Sequence, residues 1–464
     1  MGHPPFDLWY LTVIAFVAIF ALALQGESWR ATAKIGFWFG FGYFAGALHW
    51  IVEPFLVDVV RHGWMAPFAL MLMAGGGSLF WAAAFGLAGW LRLGGWFGGV
   101  ALAVCLAGAE LLRAYLFTGF PWAMPSYVLV NQLVGQGAAF VGPHGLNLLF
   151  FGVTTDLAVG VVKRWPWIWG VIGAVLVAVW IPVPEAAEPE ANAPIVRLVQ
   201  PNAPQHLKWH PDYVLQHFER ALALTASVPD APVPDLVVWP ETSVPWVLEN
   251  AGGALEAAAE MAGGAPVVLG LNRYQGERVF NTVAVVSPAG EVTDVYDKHH
   301  LVPFGEYIPF GDLLGRFGLR GFASQHGGGY SAGPGPQLVD LGDLGKALPL
   351  ICYEAVFPQD MRGTAARPRV MLHMTNDAWF GNFSGPYQHL AQARMRAIET
   401  GVPVLRAANT GVSAAIDPKG RVLAALALNE AGALDVALPR TAPATVYART
   451  GDWPVTVLLA ALII

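Results

Sequence analysis

The first part of the chain is written in long apolar runs and the rest in short ones. That change of rhythm divides the sequence before any residue is given a role. Stretches at about 8–25, 35–52, 64–91, 96–117, 142–162 and 166–183 are each apolar over close to the ~20 residues that cross a bilayer as helix. A seventh starts near Trp453 and stops at Ile464, so 451–464 is expected to be the start of a truncated C-terminal span. Past residue 194, short apolar segments are broken by Pro, Gly and polar turns, the pattern of strands. Ile195–Val199, Leu236–Trp239, Val267–Leu271, Thr282–Ser287, Leu348–Cys352, Val370–Thr375, Val404–Ala407 and Ser413–Asp417 are the predicted strands. Pro211–Ala226, Leu255–Ala262 and Gln388–Glu399 are predicted helices between them, and this alternation argues for a layered α/β domain.

Composition sharpens the division. The chain is 55% hydrophobic and 13% charged, as in a membrane protein. Residues 1–184 carry seven Lys/Arg against six Asp/Glu, about +1, so the second part carries about −8 of a chain whose net charge is −7. No basic stripe points to nucleic acid. Lys and Arg follow the first, third and fifth runs (Arg30, Lys34, Arg92, Lys163, Arg164), which marks those loops as cytoplasmic. Everything after the sixth run then falls outside the cytoplasm. The acidic, proline-containing stretch around 185–194 is the expected linker between a transmembrane bundle (1–184) and a catalytic domain (195–450). The same count places the N-terminus outside with no Lys or Arg before residue 30, so a first span upstream is expected to be missing.

Two cysteines far apart, with no CxxC and no Cys/His cluster, suggest neither a disulfide framework nor a metal or cofactor site. Cys105 lies in an apolar run and is expected to be a buried core thiol. Of the ionisable residues inside the runs, Glu110, Arg113 and Asp156, the first two are three apart and share a helix face where they can pair. A structural pair is the expectation, with a role near lipid head groups as the alternative.

The chemistry gathers at strand ends, where α/β sheets build their sites. Glu241 ends Asp235-Leu-Val-Val-Trp-Pro-Glu241, Lys298 follows Tyr296-Asp, and Cys352 ends Leu348-Pro-Leu-Ile. A thiol with an ordinary pKa of about 8.5 needs a base and a positive neighbour to act as nucleophile. Glu241 fits the base and Lys298 the cation that holds a thiolate and then an oxyanion, with the Tyr353 backbone N–H as second donor. Glu306 and Glu354 are further carboxylates that could orient Lys298 or handle a proton. Singly each is unremarkable; the order Glu, Lys, Cys is what gives them weight.

With their flanks, Trp239-Pro-Glu241, Tyr296-Asp-Lys298-His-His-Leu-Val-Pro-Phe-Gly-Glu306-Tyr and Ile351-Cys352-Tyr-Glu354 resemble the three catalytic segments of the nitrilase superfamily. Leu198-Val-Gln-Pro-Asn-Ala-Pro-Gln, Thr375-Asn-Asp-Ala-Trp-Phe-Gly, Arg406-Ala-Ala-Asn-Thr-Gly and Glu110-Leu-Leu-Arg113 resemble its membrane branch, the apolipoprotein N-acyltransferases. The resemblance implies an α-helical transmembrane bundle joined to an αββα sandwich in the bacterial inner membrane, with the sandwich on the periplasmic side. It implies ping-pong transfer of an acyl chain from a phospholipid, phosphatidylethanolamine being the expected donor, through a Cys352 thioester to the N-terminal amine of a diacylated apolipoprotein. Glu241 would be the base, Lys298 the oxyanion partner and Glu306 a supporting carboxylate. The family's eight spans exceed the six and a fragment present here.

Two lipid-anchored substrates require a thiol near the membrane surface. The Gly- and Phe-rich connection Leu301–Tyr330 is expected to form an apolar lid over Cys352, and Trp209 and Trp246 to contact lipid at the mouth. A membrane-tethered amidohydrolase, which would use water as second nucleophile, is the nearest rival. A transporter or scaffold with an inactive sensor domain is the other.

Overall fold

The computed structural model describes residues 1–165, 170, 181, 183–184, 190, 192–226, 233–309 and 329–463. It divides the chain into two compact units. One comprises Met1–Glu185, Phe383–Thr400 and Ala444–Ile464; the other comprises Ala186–Asn382 and Gly401–Pro443.

The first unit is helical. Val59–Leu91, Gly95–Tyr115 and Leu133–Lys163 are long and apolar enough to cross a membrane, and they cover the third, fourth and fifth runs. The second run is not one straight span: Trp29–Ala47 and His49–Leu56 meet at a 62° bend, and counted as one broken span they bring the total to four. At the bend the backbone tightens into a 3₁₀ turn, His49–Val52, and Pro54, which has no N–H to give, sits in the first turn of the helix that follows. The first run makes only the 15-residue helix Trp9–Ala23. At 1.5 Å per residue that is roughly 22 Å, short of the ~30 Å hydrocarbon core. Trp453–Leu462 is likewise a short apolar helix, and the predicted sixth span, 166–183, falls almost wholly outside the described residues.

The Ala138–Lys163 helix carries a kink at Gly142-Pro143, where Gly142 has φ 68°. A Cβ there would lie 2.1 Å from the Tyr447 ring, so both the conformation and the approach need glycine. Phe383–Thr400, expected to belong with the catalytic part, clusters with the helical unit instead. The reason is packing: Ala391, Met395 and Ile398, at helical spacing, bury themselves against Met124, Tyr127 and Leu146.

The second unit is built on two six-stranded sheets. The first runs β12-β1-β2-β3-β4-β5, from β1 (Ile195–Gln200), β2 (Leu236–Val238), β3 (Val267–Gln275), β4 (Arg278–Val286), β5 (Val292–Asp297) and β12 (Gly432–Ala437). The second runs β11-β10-β9-β8-β7-β6, from β6 (Val339–Asp340), β7 (Lys346–Ile351), β8 (Val370–Thr375), β9 (Val404–Ala408), β10 (Ser413–Ile416) and β11 (Val422–Leu426). Each sheet has a parallel trio, β1-β2-β3 or β7-β8-β9, continued by antiparallel strands. Apart from the far half of β3, the trio strands are almost wholly buried, as a parallel sheet covered on both faces requires. The sheets face each other, with β1 against β9 and β10. Helices Val214–Thr225 and Gly252–Met261 cover the first sheet, packing Phe218, Ala221, Leu255 and Ala258 on Val237, Trp239 and Leu269.

The pattern of apolar residues anticipates the buried strands but not β5, β6, β11 or β12. Those lie at or near sheet edges, where one face stays wet; β11 and β12 are largely exposed or half-buried.

Candidate active site

Four chain segments of the second unit, each leaving a strand, bring charged groups into one buried cluster. Glu241 follows β2 by a Trp-Pro step. The chain turns at once, with Thr242 at φ 43°, because Gly270 of β3 lies against it. A Cβ on Gly270 would come within 2.8 Å of the Glu241 Cα, so only glycine lets the two backbones approach this closely. Lys298 follows β5 and is almost wholly buried. Its ammonium donates to Glu306 Oε1 at 2.8 Å and reaches Glu241 Oε1 at a looser 3.5 Å.

Asn281, inside β4, completes the group. Its Nδ2 donates to Glu241 Oε1 at 2.7 Å and to Glu306 Oε1 at 3.4 Å, bridging the two carboxylates. The other Glu241 oxygen accepts the backbone N–H of Asn376, just beyond β8, at 2.9 Å. Both carboxylates are thereby fixed in orientation.

Cys352 begins the turn after β7, Cys352–Val356, with φ 51°. A non-glycine residue in the left-handed region stores strain, and sharp turns of this kind lift a nucleophile out of the strand that carries it. Glu354 braces the turn. Its Oε2 accepts the Ile351 N–H at 2.7 Å, and its Oε1 accepts from the Tyr296 hydroxyl at 2.7 Å and the His299 N–H at 2.8 Å. Glu354 therefore ties the Cys352 turn to the Lys298 segment, whereas Glu306 is the carboxylate that touches Lys298. The Tyr353 ring packs edge-on against Phe357.

Burial sets the electrostatics. It pushes the Cys352 thiol well above its ordinary pKa; the Glu241 charge adds to this, and Lys298 and a hydrogen bond with Thr375 oppose it. Burial also raises Glu306 against the pull of Lys298. For Lys298, desolvation favours the neutral amine, but the surrounding carboxylates outweigh it and hold the ammonium above its usual range. A thiol this reluctant to ionise needs its proton taken by a neighbour, with a fixed cation waiting for the charge.

Around the cluster, sequence reasoning missed Asn281, Asn376 and Lys208. Asn281 carried a signal, an amide in the middle of the apolar strand Val279-Phe280-Asn281-Thr282-Val283. Behind Cys352, His373 reaches the Cys352 carbonyl at 3.2 Å and is held by the buried Arg406, which pairs with Asp377. Trp209 is half-buried beside Lys208, its ring 5.3 Å from the ammonium. Trp246 is 39% exposed and stands edge-on to Phe218 at 5.2 Å, at the rim of the helix–sheet core.

Phe310, Phe317 and Phe322 of the expected lid lie outside the described residues. The two ends of that connection meet at Glu306, whose carboxylate accepts the Val302 N–H and whose carbonyl accepts the Tyr330 N–H, each at 2.8 Å.

His299, His300 and Asp360 present ligand atoms within 4.8 Å of one another, a set that could hold a metal ion. Both imidazoles already bond Asp360 Oδ2 at 3.1 Å, and His299 Nδ1 lies 2.6 Å from Glu354, so hydrogen bonding accounts for the arrangement.

Residues 195–446 match the carbon-nitrogen hydrolase family, and residues 1–155 match the apolipoprotein N-acyltransferase N-terminal domain. The chain is 37% identical over 491 residues to a protein of Rhodopseudomonas palustris named apolipoprotein N-acyltransferase, covering 99% of this chain and 91% of that one. A Sinorhizobium fredii protein of the same name is 38% identical over 475 residues, covering 95% and 88%. Among solved structures, XC1258 from Xanthomonas campestris, a CN-hydrolase superfamily protein, is similar with a TM-score of 0.39. It is 21% identical and covers 57% of this chain and 97% of that one.

Proposed function

The chain belongs to the apolipoprotein N-acyltransferase family, and from that membership we propose that it works by a ping-pong reaction on a Glu241–Lys298–Cys352 triad. Glu241 takes the thiol proton, and the Cys352 sulfur attacks the ester carbonyl of a membrane phospholipid, with phosphatidylethanolamine the expected donor. Lys298 and the Tyr353 N–H hold the oxyanion that forms. As the carbon–oxygen ester bond breaks, Glu241 returns the proton to the leaving alkoxide. A lysophospholipid departs, and a thioester remains on Cys352.

In the second half, the α-amine of a diacylglyceryl-cysteine attacks the thioester. Glu241 accepts the amine proton and passes it to the departing thiolate. Glu306 keeps Lys298 protonated and aimed throughout, and Trp209 and Trp246 line the approach of the acyl chains. The enzyme sits in the bacterial inner membrane with this unit on the periplasmic side, a placement supported by the basic residues after alternate apolar runs.

The observation that carries the reading is the buried Glu241–Lys298–Glu306 cluster, bridged by Asn281 and served by a cysteine at positive φ. Incubation with phosphatidylethanolamine in detergent should add the mass of one acyl chain to the wild type and none to Cys352→Ala. A diacylated peptide bearing a free N-terminal cysteine amine should then discharge it as N-acyl peptide. Release as free fatty acid would identify a hydrolase, and undiminished function of Cys352→Ala would identify a scaffold.

A further inference from the structure

Lys208 is a second buried cation at this site. It ends the short helix Gln205–Lys208, and its ammonium donates to the Glu241 carbonyl at 3.1 Å and to the Thr242 hydroxyl at 3.0 Å. Among the described residues it makes no ion pair with a carboxylate, although it is only 6% exposed. Burying an ammonium without a countercharge is costly, so its charge must be answered from somewhere nearby. The nearby anions are Glu241 and, once ionised, Cys352; His217 is the other titratable group that feels it.

The charges of the site balance only when Lys208 is included. Glu241 and Glu306 together exceed the single charge of Lys298. With Lys208 the group is neutral, and it stays neutral when the thiol proton moves from Cys352 to Glu241. The two contacts also fall on the left-handed turn after Glu241, the place where that turn most needs holding.

On the acyl-transfer reading above, we propose that Lys208 is a positioning residue for the reaction. It fixes the Glu241 main chain and supplies the second ammonium, which with Lys298 balances the thiolate and Glu306 once Glu241 has taken the proton. Lys208 itself exchanges no proton with substrate.

Burial lowers the Lys208 pKa to about 8, with Glu241 and Cys352 pulling the other way. Its charge is therefore lost as pH rises through that value, and the rate should fall with it. The test is the rate of Cys352 acylation by phosphatidylethanolamine in detergent, followed by intact mass, for the full-length wild type, Lys208→Met and Lys208→Arg. At neutral pH Lys208→Met should lower the limiting acylation rate about ten- to a hundredfold, through loss of a nearby charge, with the phosphatidylethanolamine concentration for half-maximal rate within about twofold.

The wild-type rate should decline on the alkaline side near pH 8. Lys208→Arg, which keeps its charge, should carry that decline to higher pH. Lys208→Met acylating at the wild-type rate, or Lys208→Arg declining at the wild-type pH, overturns the assignment. If Lys208→Met does not fold, the Lys208→Arg profile decides alone. A wild type that never gains an acyl chain overturns the acyl-transfer reading, and this one with it.

Discussion

Each unit buries an acid–base pair, and the two pairs are built differently. In the helical unit, Arg113 grips Glu110 with two hydrogen bonds, at 3.0 and 2.7 Å, and spends its remaining reach on the Phe120 and Trp122 carbonyls. Trp81 adds a third donor to Glu110 at 2.8 Å. In the sheet unit, Lys298 holds Glu306 tightly but stands off from Glu241 at 3.5 Å. A saturated pair can only hold helices together. A carboxylate with one slack contact, as Glu241 has to Lys298, can take up a proton and return it without dismantling its surroundings. Burial of charge is thus a poor sign of chemistry by itself; the slack is the better one.

The widest separation between the two pairs should come from Glu241→Gln. The amide has a single acceptor oxygen, so it keeps the bond from Asn281 or the one from Asn376 but not both, and it cannot take a proton. Acylation of Cys352, measured by intact mass against time, should slow by about 10²–10⁴-fold, the usual worth of a general base. The melting temperature should fall less than in Arg113→Met, because Lys298 keeps Glu306 as its partner at 2.8 Å. If Glu241→Gln instead unfolds the protein while acylating normally when folded, the contrast fails.

Arg113→Met should behave in the opposite way. It leaves Glu110 buried without its countercharge, which costs about 3–5 kcal/mol in comparable pairs. Detergent-solubilised protein should melt earlier and accumulate poorly in membranes, while the surviving folded fraction acylates Cys352 within about twofold of wild type. Arg113→Met and Glu110→Gln together should recover part of the loss, because no lone charge is left behind.

How much of this was legible in the sequence follows the same division. Glu241 and Cys352 each follow a buried strand, and short apolar runs ending in a reactive side chain are visible in one dimension; Lys298 follows the half-exposed edge strand β5 and was legible only through its flanks. Asn281 and Lys208 were harder, because their meaning lies in partners 40 and 33 residues away in the chain. Nothing local distinguishes Lys208 from a solvated lysine. The Gly385–Thr400 helix shows another limit. Its apolar face reads equally well as cover for a sheet or for a helix, and only packing on Met124 and Tyr127 decides. The pairing of Glu110 with Arg113, by contrast, followed from spacing alone, since residues three apart on a helix must share a face.

The smallest expected effect concerns the bridge between the Lys298 segment and the Cys352 turn. His299 lies between Glu354 at 2.6 Å and Asp360 at 3.1 Å. Burial alone would lower its pKa, but those two carboxylates raise it to about 9, above the ordinary 6.5. A group whose pKa is raised on folding stabilises fully below its unfolded value and loses that contribution as pH climbs through the folded one. The melting temperature should therefore gain from His299 below pH about 6.5 and lose that gain by about 9. Lys208 carries the opposite sign, since its pKa is lowered to about 8 and folding is favoured as it sheds its proton. The wild-type curve alone is thus ambiguous, and the informative quantity is the difference in melting temperature between wild type and His299→Gln across this range. A difference that shrinks with rising pH supports a charged His299 clamp on the Cys352 turn. A constant difference would mean that His299 contributes shape only, and that Glu354 braces the turn through Tyr296 and the backbone amides without it.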